Sequence, residues 1–175
     1  GGEGQLYLGA FAAAYVGFTF TELPVVVGIV LAVLAAMVVG GLYAFIPGLL
    51  KVYYNIDEVI TTIMFNSIAI MFTGYLVNYP FQASHGKMGG TDMIAEGFKF
   101  PKLVAMSKLN TSIFYTMIIA VLIYYLMKKT SYGYNFKIVG ENSIFSRYAG
   151  INNKKYMIWA MIISGALCGI AGAFE

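Results

Sequence analysis

Residues 23–46, LPVVVGIVLAVLAAMVVGGLYAFI, contain no charged side chain from end to end. A run of this length supplies the ~20 apolar residues that an α-helix needs to cross the ~30 Å hydrocarbon core of a bilayer. That one stretch commits the chain to lipid. Four further apolar runs read as spans, at 5–20 (short of that length by about one turn), 59–79, 111–127 and 157–174. The expected fold is all-α, a polytopic transmembrane helix bundle of about five spans in one membrane domain covering 1–175. Composition agrees, with 59% hydrophobic and 11% charged residues among 175, against ~25% charged in soluble domains.

The chain opens as GGEGQ against an apolar run, without an initiator Met, and stops at GAFE directly after another. It reads as a piece of a longer chain, with further spans expected beyond both ends. The net charge of +3 comes largely from lysines at the ends of apolar runs. Such charge reports orientation and gives no support for nucleic-acid binding. Cys168 is the single cysteine and His85 the single histidine, so neither a disulfide framework nor a Cys/His metal cluster is expected.

Small residues recur every four positions: Gly9, Ala13 and Gly17 in the first run, then Gly28, Ala32, Ala36, Gly40 and Ala44 in the second. The last run carries two such stripes side by side, Gly165, Gly169 and Ala173 beside Ser164, Cys168 and Gly172. Small stripes let helix backbones approach closely in a membrane, so the last helix is expected to have neighbours on two sides. Pro47-Gly48 is expected to end the second helix. Asn55, with Glu58 three residues on, suggests an N-cap and capping box for the next. Asp57 and Glu58 then read as helix-start acids complementing the macrodipole rather than as a catalytic pair.

Asn66 and Ser67 fall near the middle of 59–79. Burying an unpaired amide in hydrocarbon costs on the order of several kcal/mol. Asn66 therefore either lines a wet path or hydrogen-bonds to another helix as glue. Residues 80–110 form a long polar connection, and its HGKMGG segment lacks the spacing of a phosphate-binding loop.

The last connection, 128–155, carries Lys128, Lys129, Lys137, Arg147, Lys154 and Lys155 against Glu141 alone. The positive-inside rule places it in the cytoplasm, and alternation makes 80–110 an external loop. Within it, GYNFKIVGENSIFSRYAGI at 133–151 sets Ile144, Phe145 and Tyr148 on one face of a short helix. Apolar groups held in register on a water-facing loop call for something to cover them. An intramembrane enzyme is not expected, because paired carboxylates, a Ser/His arrangement and H-E-x-x-H are all missing at membrane depth. Nor do the runs 23–46, 59–79, 111–127 and 157–174 hold any Asp, Glu, Lys, Arg or His of the kind ion-coupled carriers use. Any energy-driven movement of such a membrane body must then be powered from outside it.

GYNFKIVGENSIFSRYAGINNKKY, followed by MIISGALCGIAGAFE, resembles the inner-membrane permease family of bacterial ATP-binding-cassette (ABC) importers for sugars, nucleosides and branched-chain amino acids. The residues that carry the resemblance are Gly133, Val139-Gly140, Asn142, Arg147-Tyr148-Ala149-Gly150-Ile151 and Ser164-Gly165-Ala166-Leu167. GGEGQLYLGAFAAA and IPGLLKVYYNIDEVITTIMFNSIA are similar to the nucleoside-type branch. Lys137 stands where the family usually has arginine, which keeps the charge and loses the planar fork. Phe145 and Ser146 stand where it has small residues.

The resemblance implies a multi-pass permease subunit of the bacterial plasma membrane, carrying nucleosides, with simple sugars or branched-chain amino acids as alternatives. It implies that this chain hydrolyses nothing and binds no cofactor, ATP being used by a partner ATPase subunit. The other implied partners are a second permease subunit (identical or a sister chain), an extracytoplasmic substrate-binding protein or lipoprotein, and membrane lipid. Coupling to the ATPase would fall to Gly140, Glu141, Asn142, Ser143, Ile144, Phe145, Arg147, Tyr148, Ala149 and Gly150. A helix from about Ser143 to Ala149 would start at Asn142 or Ser143 as N-cap and end on Gly150 in a left-handed conformation. Ile144, Phe145 and Tyr148 would fill the ATPase cleft, with Arg147 toward an acidic rim. The resemblance also sets the GGEGQ start near the translocation path. Glu3 and Gln5, with Asn66 and Ser67, become candidate path residues; the other reading of GGEGQ is a capped helix start.

Overall fold

The computed structural model describes residues 2–20, 24–79 and 112–174. These form seven helices and no strand: α1 (Glu3–Thr19), α2 (Val25–Tyr54), α3 (Glu58–Asn78), α4 (Ser112–Lys129), α5 (Ser131–Glu141), α6 (Ser143–Tyr148) and α7 (Asn153–Phe174). The connection at 80–110, and with it His85, lies outside the described residues. Three described helices, α2, α3 and α7, are long and apolar enough to cross a membrane, and α4 with α5 adds a fourth if that bent pair is one span. The first run falls short: α1 has 17 residues, about 25 Å at 1.5 Å per residue.

The chain divides into two compact units, residues 1–99 with 161–175, and residues 100–160. In the first unit the small stripes are the packing surfaces. Ala36 and Ala44 are fully buried, whereas Val26, Val30, Leu34, Val38 and Leu42, four residues apart on another face of α2, are exposed. That inversion suits a helix whose solvent is lipid. A Cβ on Gly169 would overlap the Ala36 carbonyl of α2, and a Cβ on Gly9 would lie 2.5 Å from the Gly169 Cα. One on Gly172 would overlap the Leu6 carbonyl of α1. The C-terminal half of α7 therefore has α2 on one side and α1 on another, as its double stripe implies. Dispersion between closely approaching backbones replaces the hydrophobic effect, which lipid cannot supply. α3 joins the unit through Tyr43, whose hydroxyl donates to the Phe65 carbonyl at 2.6 Å while its ring meets Phe65 edge-on at 5.5 Å.

Two expectations about the α2–α3 junction are corrected. α2 does not end at Pro47-Gly48 but runs on to Tyr54 with Pro47 inside it. Proline deletes one donor to the carbonyl four residues back, and here its ring is fully buried, so packing holds the helix through the lost bond. Asn55 is not an N-cap. It closes α2 in the left-handed region (φ 53°), its N–H donating to the Lys51 carbonyl and the Ile56 N–H to the Leu50 carbonyl, a conformation asparagine tolerates. The N-cap of α3 is Asp57, whose Oδ1 accepts from the Val59 N–H at 2.7 Å.

In the second unit α4 turns through 77° into α5. The elbow is built on Thr130, whose hydroxyl donates to the Leu126 carbonyl and accepts from the Gly133 N–H at 3.2 Å. Gly133 is obligatory there, since a Cβ would overlap the Met127 carbonyl. α5 continues onto the first turns of α7 through Asn135 Nδ2, which donates to the Tyr156 hydroxyl at 2.8 Å, and through Phe136 edge-on to the Tyr156 ring.

Candidate functional site

α6 has only six residues, too few to persist on local propensity. Its order comes from three sets of hydrogen bonds. At its start Asn142 is the N-cap: Oδ1 accepts from the N–H groups of Ile144 at 3.1 Å and Phe145 at 2.9 Å. At its end the Ile151 N–H reaches the Ser146 carbonyl and the Gly150 N–H reaches the Arg147 carbonyl. This is the paired six-to-one, five-to-two pattern of a Schellman closure, with Gly150 at φ +75° in the left-handed position. Asn142 rather than Ser143 is thus the cap, and Gly150 ends the helix as expected.

The third set was not legible in the sequence. Ser146, fully buried, donates to Asn153 Oδ1 at 2.6 Å, and Asn153 Nδ2 donates to the Ser143 carbonyl at 2.6 Å. The Ser143 carbonyl can only accept, so the Asn153 amide can point only this way round. The clamp ties α6 to the first residue of α7. The only signal in the sequence was an Asn-Asn pair ahead of an apolar run, with Asn152 Oδ1 accepting from the Lys155 N–H at 3.3 Å to open α7.

With its polar groups engaged inward, α6 turns its large side chains outward. Ile144 is 69% exposed, Phe145 57% and Tyr148 88%. Arg147 is exposed beside them with no ion pair among the described residues. Of the other expected coupling residues, Gly140, Glu141, Asn142, Ser143, Ala149 and Gly150 are all exposed. Lys137 and Glu141 form an exposed pair at 3.7 Å, of the kind worth at most ~0.5 kcal/mol. The patch is apolar at its centre and cationic at its edge.

The expected path residues separate. Gly2 is the N-cap of α1 and offers no side chain. The Gly4 N–H donates instead to Asn66 Oδ1, at 2.9 Å, so an α3 side chain near that helix's middle caps α1. Gln5 is buried beside it at 6% exposure, and Cys168 Sγ of α7 lies 2.6 Å from where a Gly2 Cβ would stand. Gly2, Gln5, Asn66 and Cys168 thus come together. Glu3 is exposed at the same helix start. Ser67 is exposed on α3, its hydroxyl turned back toward the Ile63 carbonyl at 3.4 Å.

Apolar helices of spanning length and small-residue interfaces, with a capped, outward-facing amphipathic helix between them, define a multi-pass helical membrane protein. The chain belongs to the family described as the permease component of the branched-chain amino acid transport system, which matches residues 1–175. It is 36% identical over 178 residues to the guanosine ABC transporter permease protein NupP of Bacillus subtilis, covering 100% of this chain and 51% of that one. It is 33% identical over 180 residues to the nucleoside ABC transporter permease protein NupB of Lactococcus lactis, covering 98% and 50%. A glucose ABC transporter permease protein, TsgB13 of Haloferax volcanii, is 27% identical over 185 residues, covering 100% and 48%. The chain spans about half the length of these curated relatives. No solved structure matches.

Proposed function

We propose that this chain is part of the permease subunit of an ABC importer and forms the translocation path for nucleosides, with α6 as the element that receives the ATPase subunit's motion. The observation that carries the reading is α6 itself. Both of its ends are closed by hydrogen bonds and its third anchor is the start of α7, while Ile144, Phe145 and Tyr148 stand exposed. A helix so expensively fixed, showing so much apolar surface, is built to be covered by protein. The cationic edge, Arg147 with Lys154 and Lys155 nearby in sequence, suits an acidic rim, and by the positive-inside rule it supports a cytoplasmic face. ATP would be bound and hydrolysed in the partner, and a second permease subunit and an extracytoplasmic binding protein would complete the importer. Nucleosides are favoured over sugars because the two relatives above 30% identity carry nucleoside names.

The test is ATP-driven uptake by the full-length chain with its ATPase, using labelled guanosine in competition with uridine, glucose and leucine. Uptake blocked by nucleosides and not by the others supports the substrate. Arg147→Glu with Phe145→Ala should abolish uptake while the protein stays in the membrane, and normal uptake by that double variant would sink the docking role.

A further inference from the structure

The start of α1 holds polar groups that no other described residue engages. α1 is 17 residues long, enough to give its N-terminus a full macrodipole, and its N-cap Gly2 makes no side-chain hydrogen bond there. Gln5 is 6% exposed, and its carboxamide has no hydrogen-bond partner among the described residues. Its Oε1 lies 3.0 Å from where a Gly2 Cβ would stand, so the amide folds back over the helix start. Burying an unpaired amide is destabilising, and leucine at that position would pack at no such cost. Asn66 spends Oδ1 on the Gly4 N–H and leaves Nδ2 without a partner among the described residues. Gly2, Asn66 and Cys168 are half-buried, which leaves the cluster open on their side.

We propose that this niche recognises an uncharged solute group presenting a hydrogen-bond donor and acceptor on adjacent atoms, with Gln5 and Asn66 Nδ2 as the groups that read it. The proposal rests on the reading of the chain as a solute path. Gln5 offers a donor beside an acceptor and Asn66 Nδ2 a second donor, so the complement is the lactam edge of a nucleobase or the vicinal diol of a sugar. An anion is disfavoured, although helix starts commonly attract one. The Glu3 carboxylate already occupies the first turn and opposes a second negative charge. The niche therefore separates a nucleoside from its phosphorylated form.

Cys168, the only cysteine, stands at the niche wall and serves as its reporter. The experiment uses the full-length chain with its partner subunits in proteoliposomes, and follows N-ethylmaleimide alkylation of Cys168 by mass spectrometry alongside uptake kinetics. Guanosine is expected to slow alkylation several-fold and GMP to leave it unchanged. Free hypoxanthine and free ribose, tested separately, tell the base edge from the diol. Gln5→Leu should raise KM about tenfold, the size of one lost neutral hydrogen bond, with kcat kept and thermal stability raised. Gln5→Met, closer in shape, should do the same. A merely structural Gln5 would lower stability on substitution and leave KM alone; that result, or alkylation indifferent to every solute the protein takes up, overturns the niche. If the wild type carries a sugar or amino acid and no nucleoside, the substrate reading falls on its own. The niche is then judged by whether the solute that is carried protects Cys168.

Discussion

Asn153→Ala removes one side chain from α7 and is expected to release α6 without unfolding anything else. The substitution deletes the acceptor for the Ser146 hydroxyl and the donor to the Ser143 carbonyl, both at 2.6 Å. Each such bond contributes ~1 kcal/mol net. Ser146 recovers part of the loss because its hydroxyl can turn to the Ser143 carbonyl, 3.0 Å away. The expected net cost is 1–2 kcal/mol, or roughly a 5–30-fold rise in the undocked fraction of α6. Amide hydrogen exchange read by mass spectrometry on peptides covering 143–151 measures that fraction directly, with peptides from α2 and α3 as the internal reference. Ser146→Ala should cost about as much, and the double variant less than the sum, with a coupling of about 1 kcal/mol between residues that share a bond. Exchange across 143–151 that stays within twofold of wild type, or that rises equally in α2 and α3, refutes the clamp.

Three further substitutions follow from the glycines. Gly169→Ala sets a methyl group against the Ala36 carbonyl and should cost 1–3 kcal/mol, about the usual penalty for overpacking, as a lowered melting temperature in detergent. Gly74→Ala, with nothing within 4 Å of the new methyl, should be neutral or gain up to about 1 kcal/mol of helix propensity, and equal losses at both sites would refute the interface. Gly150→Val forces a β-branched residue to φ +75° at a cost of about 1–3 kcal/mol. It should raise exchange in 143–151 as Asn153→Ala does, and unchanged exchange there would mean that the Schellman closure does not hold α6.

What could be read from the sequence was what depends on pattern along a single helix. Apolar length gave the helices, the four-residue stripes gave the faces on which Gly9, Gly40, Gly165 and Gly169 meet, and Asn142 and Gly150 marked the ends of α6 by chemistry that acts over three or four residues. What could not be read depends on a partner distant in sequence. Proline at 47 has the same local signature whether its helix stops or is carried through by packing, and only the buried ring decides. Asn55 and Asp57 are both competent caps two residues apart. The left-handed turn that ends α2 takes the asparagine, leaving the aspartate to open α3. Ser146 looked like a departure from small residues, and its role appears only when Asn153, seven positions on, folds back to it. Asn66 could be a lining or a strut from its burial cost alone, and its Oδ1 is seen to serve as a cap once the start of α1 is placed beside it.

The division of labour within α6 bears on how such a subunit changes over generations. The residues that set its shape, Asn142, Ser146, Gly150 and Asn153, all act on the chain's own backbone or on one another. Those that meet the outside, Ile144, Phe145 and Tyr148, carry little of that load. On the docking role proposed above, drift at the outer three would retune which ATPase is accepted, and a duplicated copy could part from its old partner without first losing its fold. Length is another matter. Both ends of the segment are tied to fixed points twelve residues apart by inclusive count (142 to 153), so a single inserted or deleted residue would pull the cap or the clamp out of register. Substitution is free where insertion is forbidden, and relatives that diverge in partner should still agree in the spacing between these two asparagines.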